Sequence, residues 1–297
     1  MSGIVVARNR QVDCFGKGAT EWSEPFYFIQ GADIQLGMIE SYLEKKPNPG
    51  WEEEIELGNK AVARINAMKP KPKFFVMCGD LCHAFPEESK VRKKQEADFK
   101  KIFEKLDPEI PMICLSGNHD VGNTPTPQTT EMYTKTYGDD YFSFWCSGIL
   151  FLVLNTQYFE DASKVPDLAK EHEDWLNGEL EKAKQSGARV IVFQHIPWFV
   201  ENPDEEANYF SIKPPLRKIW LEKLKNAGVE HVFAGHLHRN AGGVFQGMPV
   251  TVTTAIGAQL GTDQPGLRVV KVLKNEVQQK FYTLDNMPDT VTFRKPT

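Results

Sequence analysis

The 297-residue chain has few cysteines, no long apolar run and no surplus of positive charge. Its five cysteines, Cys14, Cys78, Cys82, Cys114 and Cys146, are odd in number and lack the paired spacing of a zinc finger. Neither a disulfide framework nor a thiolate metal module is expected, and a reducing, cytoplasmic setting fits. The longest uninterrupted apolar run, Ile149–Leu154, has the length of a buried strand and is too short for a membrane span. The stretch Ile4 to Ala7 is too short for a secretory leader, and Ser2 stands where myristoylation needs glycine, so a soluble, unanchored protein is expected. A formal net charge of -5 argues against nucleic acid or an anionic membrane as the main partner, since both are bound through counterion release by Lys and Arg. A phosphate substrate would have to be attracted locally, and bound divalent metals supply such a field.

What is present is a set of short apolar runs, each ending abruptly in small, polar or metal-capable residues. They are Phe26–Ile29 before Gly31-Ala32-Asp33, Phe74–Met77 before Gly79-Asp80, and Met112–Leu115 before Gly117-Asn118-His119-Asp120. Ile149–Leu154 before Asn155, Val190–Phe193 before His195, and Val232–Ala234 before Gly235-His236-Leu237-His238 complete the series. Such runs read as strands buried on both faces, with their polar ends gathered at one sheet edge. Between them lie amphipathic helical patterns over 51–68, 96–106, 171–186 and 215–227, the last ended by Gly228. The alternation predicts a layered α/β architecture. From about residue 241 the chain turns to β-rich pieces with Gly and Pro turns, read as a second sheet packed on the first. The Lys90–Lys101 stretch reads as the solvated face of one helix. The expected organisation is an N-terminal extension over 1–24, one domain over 25–290 and a tail over 291–297.

The strand ends supply Asp33, Gln35, Asp80, Asn118, His195, His236 and His238 as metal-ligand types. Carboxylate, amide oxygen and imidazole without thiolate suit two divalent cations, manganese, iron, zinc or magnesium. Two dications close together repel unless a carboxylate lies between them, and Asp80 is the choice for that bridge.

In this order the motifs Asp33-Ile34-Gln35, Gly79-Asp80, Gly117-Asn118-His119-Asp120, His195 and Gly235-His236-Leu237-His238 resemble the signature of the calcineurin-like metallophosphoesterases. The resemblance implies a four-layer α/β/β/α sandwich with two stacked mixed sheets flanked by helices. It implies a first metal on Asp33, Asp80 and His238, with Gln35 where a histidine is usual, and a second on Asp80, Asn118, His195 and His236. His83 is the alternative filler of the first site, a position where a related branch has a tyrosine. The closer likeness is to a cytoplasmic protein serine/threonine phosphatase of this family, implying a phosphomonoesterase that acts on phosphoproteins through a two-metal-activated hydroxide. A phosphodiesterase or nucleotide hydrolase, or a metal-impaired scaffold protein, stand as the alternatives. The Gly-Asp segment lacks the Asp-Arg-Gly continuation of the large phosphoprotein phosphatases, so kinship with those extends to fold and metals alone.

Within this frame Asn118 and His119 face the substrate, with His119 the candidate general acid and Asp120 the residue that holds its imidazole. Arg239 fits either a phosphate contact or a cap on the following turn. Loops 122–130 and 197–213 are expected at the rim, where Trp198, Phe199, Tyr209 and Phe210 serve either substrate or core, and Asp204, Glu205 and Glu206 repel acidic ligands. Cys78 and Cys82, which bracket Asp80, read as small core residues.

Overall fold

Each of the six apolar runs forms a strand, and the strands are shared between two sheets. In the computed structural model, which describes residues 4–12, 15–16 and 18–293, twelve strands fall into a five-stranded and a seven-stranded sheet. Ser2, Cys14 and residues 294–297 lie outside the described residues.

The five-stranded sheet centres on β2 (Phe26–Gly31), β3 (Phe75–Cys78) and β4 (Met112–Leu115), parallel neighbours buried along their whole length. Antiparallel β11 (Gly266–Val272) and β12 (Val277–Thr283) continue it beyond β2. In the seven-stranded sheet the parallel core is β6 (Ile149–Val153), β7 (Arg189–Phe193) and β8 (Val229–Ala234). It is flanked by β1 (Gln11–Val12) and β5 (Phe142–Cys146) on one side and by β10 (Met248–Val252) and β9 (Ala241–Phe245) on the other.

The side-chain period of two directs alternate residues of each central strand to opposite faces. On β2, Phe26 and Phe28 point between the sheets, whereas Tyr27 and Ile29 meet the helices outside. The layer between the sheets is largely phenylalanine. Phe28 stacks on Phe74 with centroids 4.7 Å apart and meets Phe151 and Phe193 edge-on at 5.7 and 5.4 Å. Outside the five-stranded sheet pack α1 (Glu52–Ala67), α2 (Ser89–Phe103) and α4 (Pro127–Tyr137). Outside the other pack α6 (Pro166–Ser186) and α7 (Pro214–Asn226), so the layers run α/β/β/α. The single turns α3 (Asn118–Val121) and α5 (Gln157–Glu160) follow β4 and β6.

Three readings of the sequence are corrected. The pieces after residue 241 do not form a sheet of their own: β10 pairs parallel with β8, while β11 pairs antiparallel with β2, so each extends an existing edge. The helix expected over 96–106 begins at Ser89 and ends at Phe103, leaving Leu106 in the core beyond the helix. Segment 122–130 is a loop only to Thr126, whose side chain accepts from the Thr129 amide and starts α4 with Pro127 in its first turn. The first described residues pair with the domain, Ile4 bridging to Met112 and β1 lying parallel to β5. Among the described residues no helix is long and apolar enough to cross a membrane.

Candidate metal centre

The C-terminal ends of strands from both sheets meet at one place. Asp33 and Gln35 follow β2, Asp80 follows β3 and Asn118 opens α3 after β4, all from the five-stranded sheet. His195 follows β7, and His236 and His238 follow β8, from the seven-stranded sheet. Five of these residues, Asp33, Gln35, Asp80, His236 and His238, have positive φ, between 41° and 72°. A left-handed conformation outside glycine costs on the order of 1–3 kcal/mol and persists where the surroundings enforce it. Here each strand turns sharply as it leaves its sheet, which swings the side chain inward. The turns are tied together by Asp33 N–H donating to Gly79 O (3.1 Å) and Gln35 N–H donating to Asp80 O (2.9 Å). Gly117 and Gly235 are required by close approach: a Cβ on the first would collide with the Asp80 carboxylate, and one on the second with Asp33.

Two groups of potential ligands result, and Asp80 belongs to both: Asp80, His195 and His236, and Asp33, Asp80 and His238, every member buried. Asn118 joins the first through its Oδ1, 3.1 Å from His195 Nε2. Each histidine commits one ring nitrogen to a backbone carbonyl. His195 Nδ1 donates to Cys78 O (2.8 Å), His236 Nε2 to Tyr209 O (3.1 Å) and His238 Nδ1 to Ala258 O (2.6 Å). A carbonyl only accepts, so the hydrogen sits on those atoms and the other nitrogen of each ring presents a lone pair. His195 Nε2 and His236 Nδ1 then face each other at 3.2 Å, and His195 Nε2 faces Asp80 Oδ2 at 3.4 Å. His238 Nε2 faces Asp33 Oδ1 at 3.5 Å, and Asp33 Oδ1 is buried without a hydrogen-bond donor. Acceptors converging on acceptors at a buried site fit cations between them.

Without a cation the same crowding shifts the ionisable groups strongly against one another. Burial, helped by Asp80, pushes the Asp33 carboxyl well up, with His195 opposing. Burial would also raise Asp80, but His195 and His119 outweigh it and hold that carboxyl well below the ordinary range. His195, lowered by burial, is carried up to about 9 by Asp80 and Asp33, whereas burial and His195 push His236 down to about 3. His238 is pushed down to about 4, chiefly by burial.

Gln35 is buried, and its Oε1 has no hydrogen-bond partner. Its Nε2 lies 3.2 Å from His83 Nδ1, so His83 holds the amide and belongs to neither carboxylate–imidazole group. His119 lines the cavity above the metal ligands and is sandwiched between Phe85 and His83 (centroids 4.2 and 4.9 Å). Its Nδ1 donates to the His83 carbonyl at 2.5 Å, which leaves Nε2 as the atom able to pass a proton. The role expected for Asp120 is not observed. Its carboxylate accepts from Gly117 N (2.9 Å), Leu81 N (3.2 Å) and Arg92 Nη2 (2.9 Å), bracing the turns around Asp80 and Asn118 and leaving His119 to the His83 carbonyl.

Arg92 is the residue that sequence reasoning missed. It sits within the basic stretch read as solvated, yet it is 3% exposed and also donates to His119 O (2.7 Å). The signal was its register, Arg92, Gln95, Phe99 and Ile102 forming one buried helix stripe. Arg239 is exposed, with its stem over Gly261, and does not line the cavity. Trp198 and Phe199 are fully buried between the seven-stranded sheet and its helices, whereas Tyr209 and Phe210 line the cavity. Tyr209 accepts from His236 through its carbonyl and lies 3.2 Å from Asn118 Nδ2 through its hydroxyl. Glu205 is turned toward its own loop, accepting from the amides of Val200 and Glu201 and from Ser211. Cys78 and Cys82 are fully buried, with thiols raised by burial, as core residues should be.

A family model described as calcineurin-like phosphoesterase matches residues 43–240, a span that begins after Asp33 and Gln35. A Bos taurus protein named serine/threonine-protein phosphatase CPPED1 is 47% identical over 288 residues, covering 95% of this chain and 92% of that one. The Homo sapiens protein of the same name is 46% identical over 289 residues, with the same coverage, 95% and 92%. Among solved structures, a dimetal phosphatase from Danio rerio superposes with a TM-score of 0.60 at 15% identity, covering 88% of this chain and 100% of that one.

Proposed function

This chain belongs to the calcineurin-like phosphoesterase family, and on that premise we propose that it is a metal-dependent phosphomonoesterase that removes phosphate from phosphoserine or phosphothreonine in proteins. The observation that carries the reading is the pair of ligand groups joined through Asp80 at the floor of a cavity of about 430 Å³. Asp33, Asp80, His238 and the Gln35 oxygen would hold one divalent cation, and Asp80, Asn118, His195 and His236 a second. When bound, the cations supply Lewis-acid polarisation of the phosphoryl oxygens and an acidified water. Among the described residues no Lys or Arg lines the cavity, so the substrate's charge has no cationic side chain to meet it there. Asp80 carries the negative charge that screens the two cation positions from each other. His119 lines the cavity with its Nδ1 held by the His83 carbonyl, and its Nε2 would protonate the leaving oxygen. The CPPED1 relatives, which this chain matches over nearly its whole length, are named serine/threonine-protein phosphatases, and this supports the protein substrate.

The test is a comparison of a phosphoserine peptide, an aryl phosphate monoester and the corresponding diester under defined manganese, iron, zinc or magnesium. Monoesters hydrolysed well above the diester support the reading. A preference for the diester would move it to a phosphodiesterase, and no turnover with any metal to a scaffold. The cytoplasmic location expected from the cysteine content remains part of the proposal, and fractionation checks it.

A further inference from the structure

A second, smaller chamber of about 170 Å³ adjoins the metal cavity and shares Asn123, Tyr209 and His236 with it as a common wall. Its volume falls below the ~300–1,000 Å³ of typical small-molecule sites. Its other walls are Thr124, Ile196, the residues Gln157, Glu160 and Asp161 after β6, and Lys213 just before α7, and none of them takes part in the chemistry above.

The polar atoms of this chamber are unbalanced toward acceptors. Gln157 is 1% exposed, and its Nε2 is committed to the carbonyls of Gly122 and Asn123, each at 3.4 Å. Its Oε1 has no partner. Glu160 spends Oε1 on Lys213 Nζ (2.9 Å), while its Oε2 is buried and unpartnered. Asp161 accepts from Thr124 Oγ1 at 2.7 Å. Of the lining donors, Lys213 and Thr124 are engaged with Glu160 and Asp161, while Asn123 Nδ2 and the Tyr209 hydroxyl stand on the exposed wall shared with the metal cavity; two buried acceptors, Gln157 Oε1 and Glu160 Oε2, remain without a donor. A buried acceptor without a donor costs about 1–3 kcal/mol, so the chamber favours an occupant that brings donors and positive charge.

We propose that this chamber is a specificity subsite that receives an arginine or lysine side chain of the phosphoprotein, close in sequence to the residue whose phosphate enters the metal cavity. The inference rests on the protein-phosphatase reading. Gln157 Oε1 and Glu160 Oε2 accept from the guanidinium or ammonium, and the shared Tyr209 wall sets the spacing between this side chain and the phosphate.

The experiment uses the full chain with manganese and a set of phosphoserine peptides that differ at a single position, arginine against norleucine, scanned on both sides of the phosphoserine. Each kcat/KM is divided by that for nitrophenyl phosphate on the same preparation, which removes differences in folding and metal loading. At one position arginine is favoured about tenfold, the size of one charge-assisted hydrogen bond. Gln157→Met reduces that ratio to about twofold or less, and Gln157→Glu, of the same shape but charged, raises it. Equal hydrolysis of arginine and norleucine peptides at every position overturns the subsite, as does a preference that neither variant alters. If nitrophenyl phosphate is cleaved and no phosphopeptide is, the protein-phosphatase reading falls and the subsite falls with it.

Discussion

The Arg92 guanidinium and the Asp120 carboxylate form a buried ion pair, Nη2 to Oδ1 2.9 Å, with side-chain exposures of 3% and 0%. The pair joins α2 to the turn that carries Asn118 and His119, and Arg92 also reaches Glu96 Oε1 (2.9 Å) and the carbonyls of Ala84 and His119. The charge of a single helix residue therefore braces the catalytic edge from behind.

Removing one partner leaves the other buried and uncompensated, which costs about 3–5 kcal/mol. Arg92→Met is expected to lower unfolding stability by that amount in urea titrations. The double variant Arg92→Met with Asp120→Asn, which removes the buried charge but keeps an acceptor for the Gly117 and Leu81 amides, should recover part of the loss. Single and double variants that simply add would show that the two groups do not act as a pair.

Asp80→Asn removes the charge common to both ligand groups while keeping the shape. Metal binding followed by calorimetry should lose both sites together, because two cations would then repel without a carboxylate between them. Retention of two tightly held ions would remove Asp80 from the bridging role.

The Gln35 amide is a weaker ligand than imidazole, so the first cation should leave more readily than the second. After dialysis against chelator the protein is expected to hold less than a full complement and to regain activity with added manganese. Gln35→His should raise the retained metal, measured by elemental analysis. Two ions held unchanged through prolonged dialysis of the native chain would contradict this.

A seryl alkoxide needs a proton as it leaves, whereas a nitrophenolate does not. His119→Asn should therefore depress phosphoserine-peptide hydrolysis by about 10²–10⁴-fold and nitrophenyl phosphate hydrolysis far less, with metal content unchanged. Equal losses on the two substrates would exclude the general-acid role and leave His119 a positioning residue.

His172 belongs to neither group of potential metal ligands and is buried against Tyr141, Phe159 and Trp175 with neither ring nitrogen hydrogen-bonded. Burial pushes it down to about 3 from the ordinary 6.5. A base whose folded pKa is depressed contributes stability that is fully present above its unfolded pKa and is lost as pH falls through the window toward the folded value. Between pH 6 and 4 the native chain should therefore lose stability relative to His172→Phe, with a difference slope approaching about 1.4 kcal/mol per pH unit. Parallel stability curves for the two proteins over that range would show that the ring is not held neutral.

Much of the metal centre was legible because ligand-type residues must stand where strands end, and a short apolar run followed by Gly-Asp, Gly-Asn-His or Gly-His-Leu-His marks both the strand and its turn. The long helices α1, α2, α6 and α7 were likewise readable, since a buried stripe such as that of α1 or α7 repeats at the helical period, whereas α4 was read as a loop. Those are local properties, fixed by residues a few positions apart.

Three things were decided only by the tertiary structure. Which sheet each strand joins depends on which edge is free beside β8 or β2, and no local pattern in 241–284 encodes that. The destination of Asp120 depends on α2 delivering Arg92 to it across 28 positions of chain, so a carboxylate next to His119 in sequence serves a partner on another element. The wall between the metal cavity and the acceptor-rich chamber exists because the loop after β7 folds back to set Tyr209 against Asn118 and His236, residues that precede and follow it by 91 and 27 positions. Sequence alone set the ligand-type residues at the strand ends; long-range packing chose what braces them and what lies beside them.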